Sequence, residues 1–507
     1  MPINHAHGEV PDFPTWAAAM SQTSNRSLAG ARLVLPDDTM TDCQRQRLIS
    51  QAQEWGMVVQ DVDSVDATAS EDSARPHPAD FDLPFGPTET MVDMRRSSGG
   101  EAIDWAQSRM PILTGLMARL KSEVDFGSAR IATCLILEPK TAVLLRELKL
   151  AGAEVGVYCE PGAVDQRVAD QLKQEGITVC ADSSWDDDQA RQGALDLMDR
   201  INPNLIIDDG ASFARLALRE RPHMAADLMG VAEETTSGVR AFAAMERDEA
   251  LTFPVIAVND SLMKTDFDNA HGTGETCLTT MQSLLGAHCF QGQRVLVVGY
   301  GPVGRGFALG ARALGAHVSV SDTDPRAALR AVFDGFPSQD TSEALPVADM
   351  VISATGVTHT IDLEDMQAMK SGAVLAVIGG IANEVALDRI PKWLPDQVDE
   401  VMTISVPDGP ELTLISQGDG VNYTAGGGNP IEIMDLSFAV QVSALAHLIR
   451  HGRELDRRVH RLPDQVDRRI ASLALEARGY QVRHQASETV QDWRTTRFDA
   501  RREKSQA

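Results

Sequence analysis

A glycine turn between a strand and a helix constrains this chain more than any other feature. The apolar run Val295-Leu-Val-Val298 leads into Gly299-Tyr-Gly301-Pro-Val303-Gly304-Arg-Gly306, and a helical pattern follows over Phe307 to Leu314. A second apolar run, His317 to Ser321, ends on Asp322. Strand, tight glycine turn, helix, strand and an acid about twenty residues on make the full pattern of a dinucleotide-binding unit. Gly299, Gly301 and Gly304, with Val303 between them, let backbone approach a pyrophosphate, and the helix N-terminus adds a dipole that favours negative charge. Asp322 is placed to take ribose hydroxyls, which favours NAD over NADP. The bland alternative is a glycine turn that only joins a structural strand to a helix.

The 507 residues leave room for two or three domains. A net charge of -27 argues against general binding to nucleic acid or an anionic membrane, and reads as a solvated surface. Six cysteines without metal-type spacing read as free thiols in a reducing compartment. No basic region with an apolar core opens the chain, and no apolar run approaches a membrane span. A cytoplasmic protein without a metal site is expected.

The pattern along the chain is α/β. Residues 1 to 96 read as an appendage without obvious chemistry, holding a strand at Ala31–Leu35, a helix from Thr41 to Gln53, a strand at Met57–Gln60 and a linker from Asp61 to Pro84. From about 100, apolar strands alternate with helices, which implies parallel sheets. The pattern predicts one helix from Glu101 to Lys121, strands at Arg130–Leu137 and Glu154–Tyr158, and a late helix from Ile433 to Ile449. The expected architecture is two doubly wound parallel-sheet domains with an N-terminal appendage. A substrate domain takes 97–270 and 431–460, a Rossmann NAD-binding domain takes 271–430, and 461–507 forms a helical tail.

Three polar clusters fall at strand ends or loops, where α/β proteins bind ligands. They are Asp208-Asp209-Gly210, Glu233-Glu234-Thr235-Thr236-Ser237-Gly238, and Asn259-Asp260-Ser261 through Lys264 to Asp268-Asn269. Each alone has an ordinary reading as a turn, a helix cap or a surface charge. They gain weight together, because all precede the glycine turn by modest distances.

Taken in order with Val-Val-Gly-Tyr-Gly-x-Val-Gly-x-Gly, these clusters resemble the S-adenosylhomocysteine hydrolase family. The likeness runs from near Glu101-Ala-Ile-Asp-Trp105 to Gly428-Asn429-Pro430 and Ser437-Phe438. The resemblance implies an NAD that stays bound. The ribose 3'-hydroxyl is oxidised to a ketone, the C4' hydrogen becomes acidic, thiol leaves C5', water adds, and the ketone is reduced back. It implies that Lys264 and Asp268 manage the 3'-hydroxyl proton, Glu234 binds the ribose hydroxyls, and Asp209 moves protons near C4' and C5'. It further implies that Asn269, Thr235, Thr236, Ser237 and Asn422 contact NAD, and that Glu138, Lys140, Thr141 and Asn429 lie on the substrate side. The substrate is expected to be a small nucleoside or sugar-like molecule, and the protein a homo-oligomer.

The departures concentrate around the substrate. The family's histidine at the end of the first strand is Ile136, its threonine and glutamate are Glu138 and Lys140, and its Gly-His-Pro loop is Gly428-Asn429-Pro430. Its cysteine near the nicotinamide is Thr273, its Gly-His-Phe is Gly379-Gly380-Ile381, and its Lys- and Tyr-bearing tail has no counterpart in Phe498–Ala507. Glu138 and Lys140 either grip a differently functionalised substrate or pair with each other. Three functions stay open: an adenosylhomocysteinase-like hydrolase, a divergent NAD-dependent enzyme acting on another nucleoside or sugar, and a non-catalytic NAD-binding homologue.

Overall fold

The computed structural model describes residues 11–35, 40–61, 82–85, 93–380, 383–391, 399–480 and 482. Three sheets organise them. The first is small and parallel, β1 (Arg32–Leu35) between β2 (Val58–Asp61) and β3 (Asp82–Pro84). The second comprises β4 (Arg130–Cys134), β5 (Glu154–Tyr158), β6 (Thr178–Val179), β7 (Leu205–Asp208), β8 (Gly230–Glu233) and β9 (Val255–Ala257). The third comprises β10 (Arg294–Val298), β11 (His317–Ser321), β12 (Met350–Ser353), β13 (Val374–Val377), β14 (Val401–Ser405) and β15 (Glu411–Ile415). A last strand, β16 (Val459–His460), joins the second sheet, giving the order β16-β9-β8-β7-β4-β5-β6, parallel throughout. The third sheet runs β11-β10-β12-β13-β15-β14, parallel except for the β14–β15 hairpin. Leu205–Asp208 and Met350–Ser353 are buried at every position. Helices cover both faces of a parallel sheet, so its central strands read as unbroken apolar runs instead of alternating.

The chain crosses between the two large sheets twice. A π-helix at Thr265–Gly272 continues directly into the helix Thr273–Leu285, and the loop at 426–430 returns the chain to the helix Ile431–His451. That last helix corrects one expectation. Its 21 residues are apolar enough and long enough to cross a membrane, but 83% of the apolar window is buried inside the protein. It packs against the helix Pro111–Glu123 as part of the core.

Two further expectations need correction. The single helix from Glu101 to Lys121 is in fact two, Gly99–Gln107 and Pro111–Glu123. Pro111 opens the second, and the residue before a proline is pushed out of the α region; Met110 sits at φ -119°, ψ 57°. The end of the expected 61–84 linker is β3, paired to β1; residues 62–81 lie outside the described residues.

The N-terminal segment is built into the body. Phe13, Trp16, Met20, Leu33 and Trp55 share one buried cluster with Leu278, Met281, Val295 and Phe307 of the third sheet and its helices. The loop that follows the helix Phe13–Ser24 reaches both crossings. Arg26 Nε donates to Glu432 Oε1 at 2.6 Å, and the Ser27 amide donates to Glu432 Oε2 at 3.0 Å. Ser27 Oγ and the Leu28 amide donate to Glu275 at 3.0 and 2.5 Å. Glu275 and Glu432 stand at the starts of the two crossing helices.

Candidate active site

Paired acids end adjacent strands, and in each pair the first member is structural. Asp208 and Glu233 are opposite each other at the ends of β7 and β8. Asp208 accepts from the amides of Phe213 and Ala214 at 3.1 and 2.8 Å, starting the helix Ser212–Glu220. Glu233 accepts from the amides of Gly210, Ala211 and Thr235 at 2.9–3.0 Å. Successive residues leave a strand on opposite sides, so Asp209 and Glu234 face the cleft.

Glu234 is buried, and among the described residues its Oε1 has no hydrogen-bond partner. Its Oε2 accepts from Gln441 Nε2 on the helix Ile431–His451. Burial pushes the Glu234 carboxyl up to about 8, against the pull of Lys264. Burial likewise raises Asp209, again opposed by Lys264. The folded protein therefore holds a proton on Glu234 that the unfolded chain releases near 4.5. Stability from this proton is complete below about pH 4.5 and is lost as pH rises to about 8, at about 1.4 kcal/mol per pH unit. Asp208, Glu275 and Asp435, each raised to about 7 by burial, add the same trend at lower pH. The ligand-free protein should lose melting temperature between pH 7 and 8, and Glu234→Gln should flatten that slope. An unchanged slope in calorimetry would remove Glu234 from the linkage.

The π-helix and Lys264, the residue just before it, carry the second group. Lys264 Nζ lies 2.8 Å from Asp268 Oδ2 and donates to Asn269 Oδ1 at 2.7 Å. Asn269 Nδ2 donates to Asn259 Oδ1 at 2.9 Å, and the same oxygen accepts from Thr236 Oγ1 at 2.9 Å. Burial lowers Lys264, but Asp268 and Glu234 outweigh it and the net direction is up. Without a ligand Lys264 is thus a cation, contrary to the lowered lysine that a general base requires. Thr235 caps the helix Thr236–Arg247 and contacts Ser237, so the Glu-Glu-Thr-Thr-Ser run is both a helix cap and a cleft wall.

The glycine turn forms the far side of the same cleft, which encloses about 740 Å³. Gly299 has φ +95°, and a Cβ there would sit 2.9 Å from Ala354 O at the end of β12. Gly304 leaves no room for a Cβ against Gly299 O, whereas Gly301 faces open space. Gly301 precedes the helix Pro302–Ala313 without a side-chain cap, which leaves first-turn amides to a ligand. Asp322 is oriented by the amides of Tyr300 and Asp324 at 2.6 and 2.7 Å. These residues and Val303 fit a dinucleotide pyrophosphate and ribose. Gly306 docks the turn onto the π-helix, since a Cβ there would overlap Ala270 O.

The substrate-side residues divide. Ile136, Glu138 and Thr141 line the cleft, with Thr141 Oγ1 donating to Ile136 O at 2.7 Å. Lys140, expected to hold substrate, does not reach it. It is fully buried, and its Nζ contacts Glu138 Oε2 at 2.7 Å, Asn25 Oδ1 at 2.7 Å and Gly427 O at 2.9 Å. An ammonium has three donors, and all three are used within the protein. Asn429 is drawn towards the π-helix: its Nδ2 donates to Asp268 Oδ1 at 2.5 Å and Thr273 Oγ1 at 3.1 Å, while its Oδ1 accepts from Asn422 at 3.1 Å. Gly379 and Gly380 line the cleft, but Ile381 lies outside the described residues. Sequence reasoning missed Gln441 and Asn25. Gln441 left a signal, a lone amide within the apolar run Phe438–Ala446.

Comparison with known proteins agrees with this layout. A sequence profile of the S-adenosyl-L-homocysteine hydrolase family matches residues 90–491. The chain belongs to the S-adenosyl-L-homocysteine hydrolase family. It is 37% identical over 389 residues to an S-inosyl-L-homocysteine hydrolase of Methanopyrus kandleri, covering 76% of this chain and 91% of that one. It is 36% identical over 393 residues to an adenosylhomocysteinase of Thermotoga maritima, covering 76% and 96%. An adenosylhomocysteinase of Pyrococcus abyssi is 39% identical over 401 residues, covering 76% and 92%. The chain is therefore an enzyme of the adenosylhomocysteine-hydrolase type. The first sheet precedes the region that the family profile matches.

Proposed function

We propose that the chain hydrolyses the thioether of S-adenosyl-L-homocysteine or a closely related nucleoside, working with a tightly held NAD. The observation that carries this reading is a shared cleft: the Lys264–Asp268 pair and the unpartnered Glu234 Oε1 face the same cavity as the glycine turn. When bound, NAD supplies a hydride acceptor that makes a ribosyl 3'-hydroxyl oxidisable. Gly299, Gly301, Val303, Gly304 and Asp322 would hold it, with Thr235, Thr236, Ser237, Asn269 and Asn422 along its length.

The chain's own groups do the rest. Glu234 Oε1 takes a ribose hydroxyl as hydrogen-bond partner. Lys264 and Asp268 act as a unit at the 3'-oxygen: Nζ anchors it, and the carboxylate of the pair has a place for the departing proton. A ketone at C3' acidifies the C4' hydrogen, and Asp209, already raised by burial, is suited to carry that proton. Ile136 offers no acid or base beside it, so Asp209 carries the proton traffic of both elimination and water addition. We assign the substrate domain to 97–270 with 431–460, and the cofactor domain to 271–430.

Purified protein is mixed with S-adenosyl-L-homocysteine or S-inosyl-L-homocysteine and a thiol reagent, while the redox state of its NAD is followed. Thiol release is expected. NADH formation without thiol would instead point to net oxidation of another kind, and a silent protein with NAD bound would point to a non-catalytic homologue.

A further inference from the structure

We infer that Asn25, in the N-terminal extension, is a positioning residue for the Lys264–Asp268 pair; the inference rests on the role proposed above for that pair. Asn25 lies outside the residues the family profile matches, yet it is buried beside the cleft. Its backbone is left-handed, φ 52°, a conformation asparagine tolerates. Its Nδ2 donates to the carbonyls of Gly427 and Gly428 at 3.3 and 3.1 Å, its Oδ1 accepts from Lys140, and its own carbonyl accepts from the Ile431 amide at 2.9 Å.

These bonds grip the chain on both sides of Asn429. That grip is needed because three consecutive glycines, Gly426 to Gly428, precede Asn429, and glycine leaves backbone torsions unusually free. Gly428 takes φ +70°, and a Cβ on it would collide with the Glu138 carboxylate. Asn429 then donates to Asp268, and Asp268 holds Lys264. The path from the extension to the reacting groups is Asn25, the Gly427–Gly428 carbonyls, Asn429, Asp268, Lys264. The extension itself cannot drift. Ser21 Oγ lies 3.0 Å from Thr279 Oγ1, Gln22 donates to Thr279 O at 2.8 Å, and Arg26 is paired with Glu432.

Two variants separate the contacts. Asn25→Gly keeps the left-handed backbone and the bond to Ile431 but removes the side chain. Asn25→Asp keeps the acceptor for Lys140 and loses both donors to the loop. A misplacement of about 1 Å in a catalytic group can cost roughly a hundredfold, so each variant should lower the first-turnover rate of NAD reduction by about ten- to a hundredfold. KM should change little. Asn429→Ala should lower that rate as much, and Asn25→Gly combined with Asn429→Ala should be no slower than Asn429→Ala alone, because both act through one contact. Losses that simply multiply, or an Asn25→Gly rate within twofold of the parent, overturn the inference. If the parent protein turns over no nucleoside thioether, the proposed function fails separately. Hydrogen exchange then decides: Asn25→Gly must raise exchange across residues 421–434 relative to the rest of the chain, and unchanged exchange overturns the positioning role.

Discussion

Lys264→Ala is expected to abolish the NAD reduction proposed above, with turnover falling by about a thousandfold or more. The side chain is buried, and its contacts to Asp268 and Asn269 are 2.8 and 2.7 Å. Removing the ammonium leaves Asp268, Glu234 and Asp209 facing one another without the cation that moderates all three. Without its cation Asp268 no longer holds the geometry in which it takes the proton, and loss of a working proton acceptor typically costs about 100- to 10,000-fold; disorder of Asn269 adds to it. Stopped-flow absorbance of enzyme-bound NADH reads the step directly. Lys264→Arg should not rescue, since a planar guanidinium keeps the charge but not the compact ammonium's fit against Asp268 and Asn269. An alanine variant that still reduces its NAD would remove Lys264 from the reaction.

Gly306→Ala should be the most damaging small substitution. The new methyl would fall on Ala270 O, a backbone atom between Asn269 and the helix Thr273–Leu285. On the other side, Gly274 leaves no slack, because its own Cβ would meet Phe307 N at 2.8 Å. Two helices therefore touch backbone to backbone, and neither can retreat without moving the glycine turn or the π-helix. Overpacking of this kind costs about 1–3 kcal/mol or more. Calorimetry should show a marked fall in melting temperature, with loss of NAD retention on gel filtration. Gly301→Ala, whose Cβ would meet open space within the protein, should keep the melting temperature and weaken only the cofactor. Equal stability of the two variants would refute the docking role of Gly306.

The glycine-turn side of the cleft was legible in the sequence because its constraints are local. A glycine turn, its strand and an acid at fixed spacing report their own geometry, and Gly299, Gly304 and Asp322 stand where that pattern requires. The doubled acids were legible as clusters, but not their division of labour, which depends on pairing β7 against β8. Lys140 was read as a substrate contact because its place in the family motif is known, while its partner Asn25 lies 115 residues away. Nothing local announces such a pairing. The extension was read as an appendage for the same reason: its apolar residues have no periodic partner nearby, and the surface they cover belongs to helices beyond residue 270. Pro111 was the opposite case, a local signal sufficient to split the helix and overridden in reading by the apolar pattern around it.

Arg26 and Glu432 have a consequence for how the molecule is made. They are 406 residues apart in sequence. At roughly 5–20 residues per second of synthesis, the first of them waits tens of seconds for the second. Of its two receiving helices Thr273–Leu285 is made well before Ile431–His451, and until the first of them appears the face of Phe13, Trp16 and Met20 that packs on Leu278 and Met281 is open to water and to other nascent chains. Closure of so distant a contact is an intrinsically slow event. Refolding should therefore end in a late phase in which the extension docks, after both large sheets have formed, and an assembly partner that shields residues 13–24 during synthesis would raise the yield of finished protein.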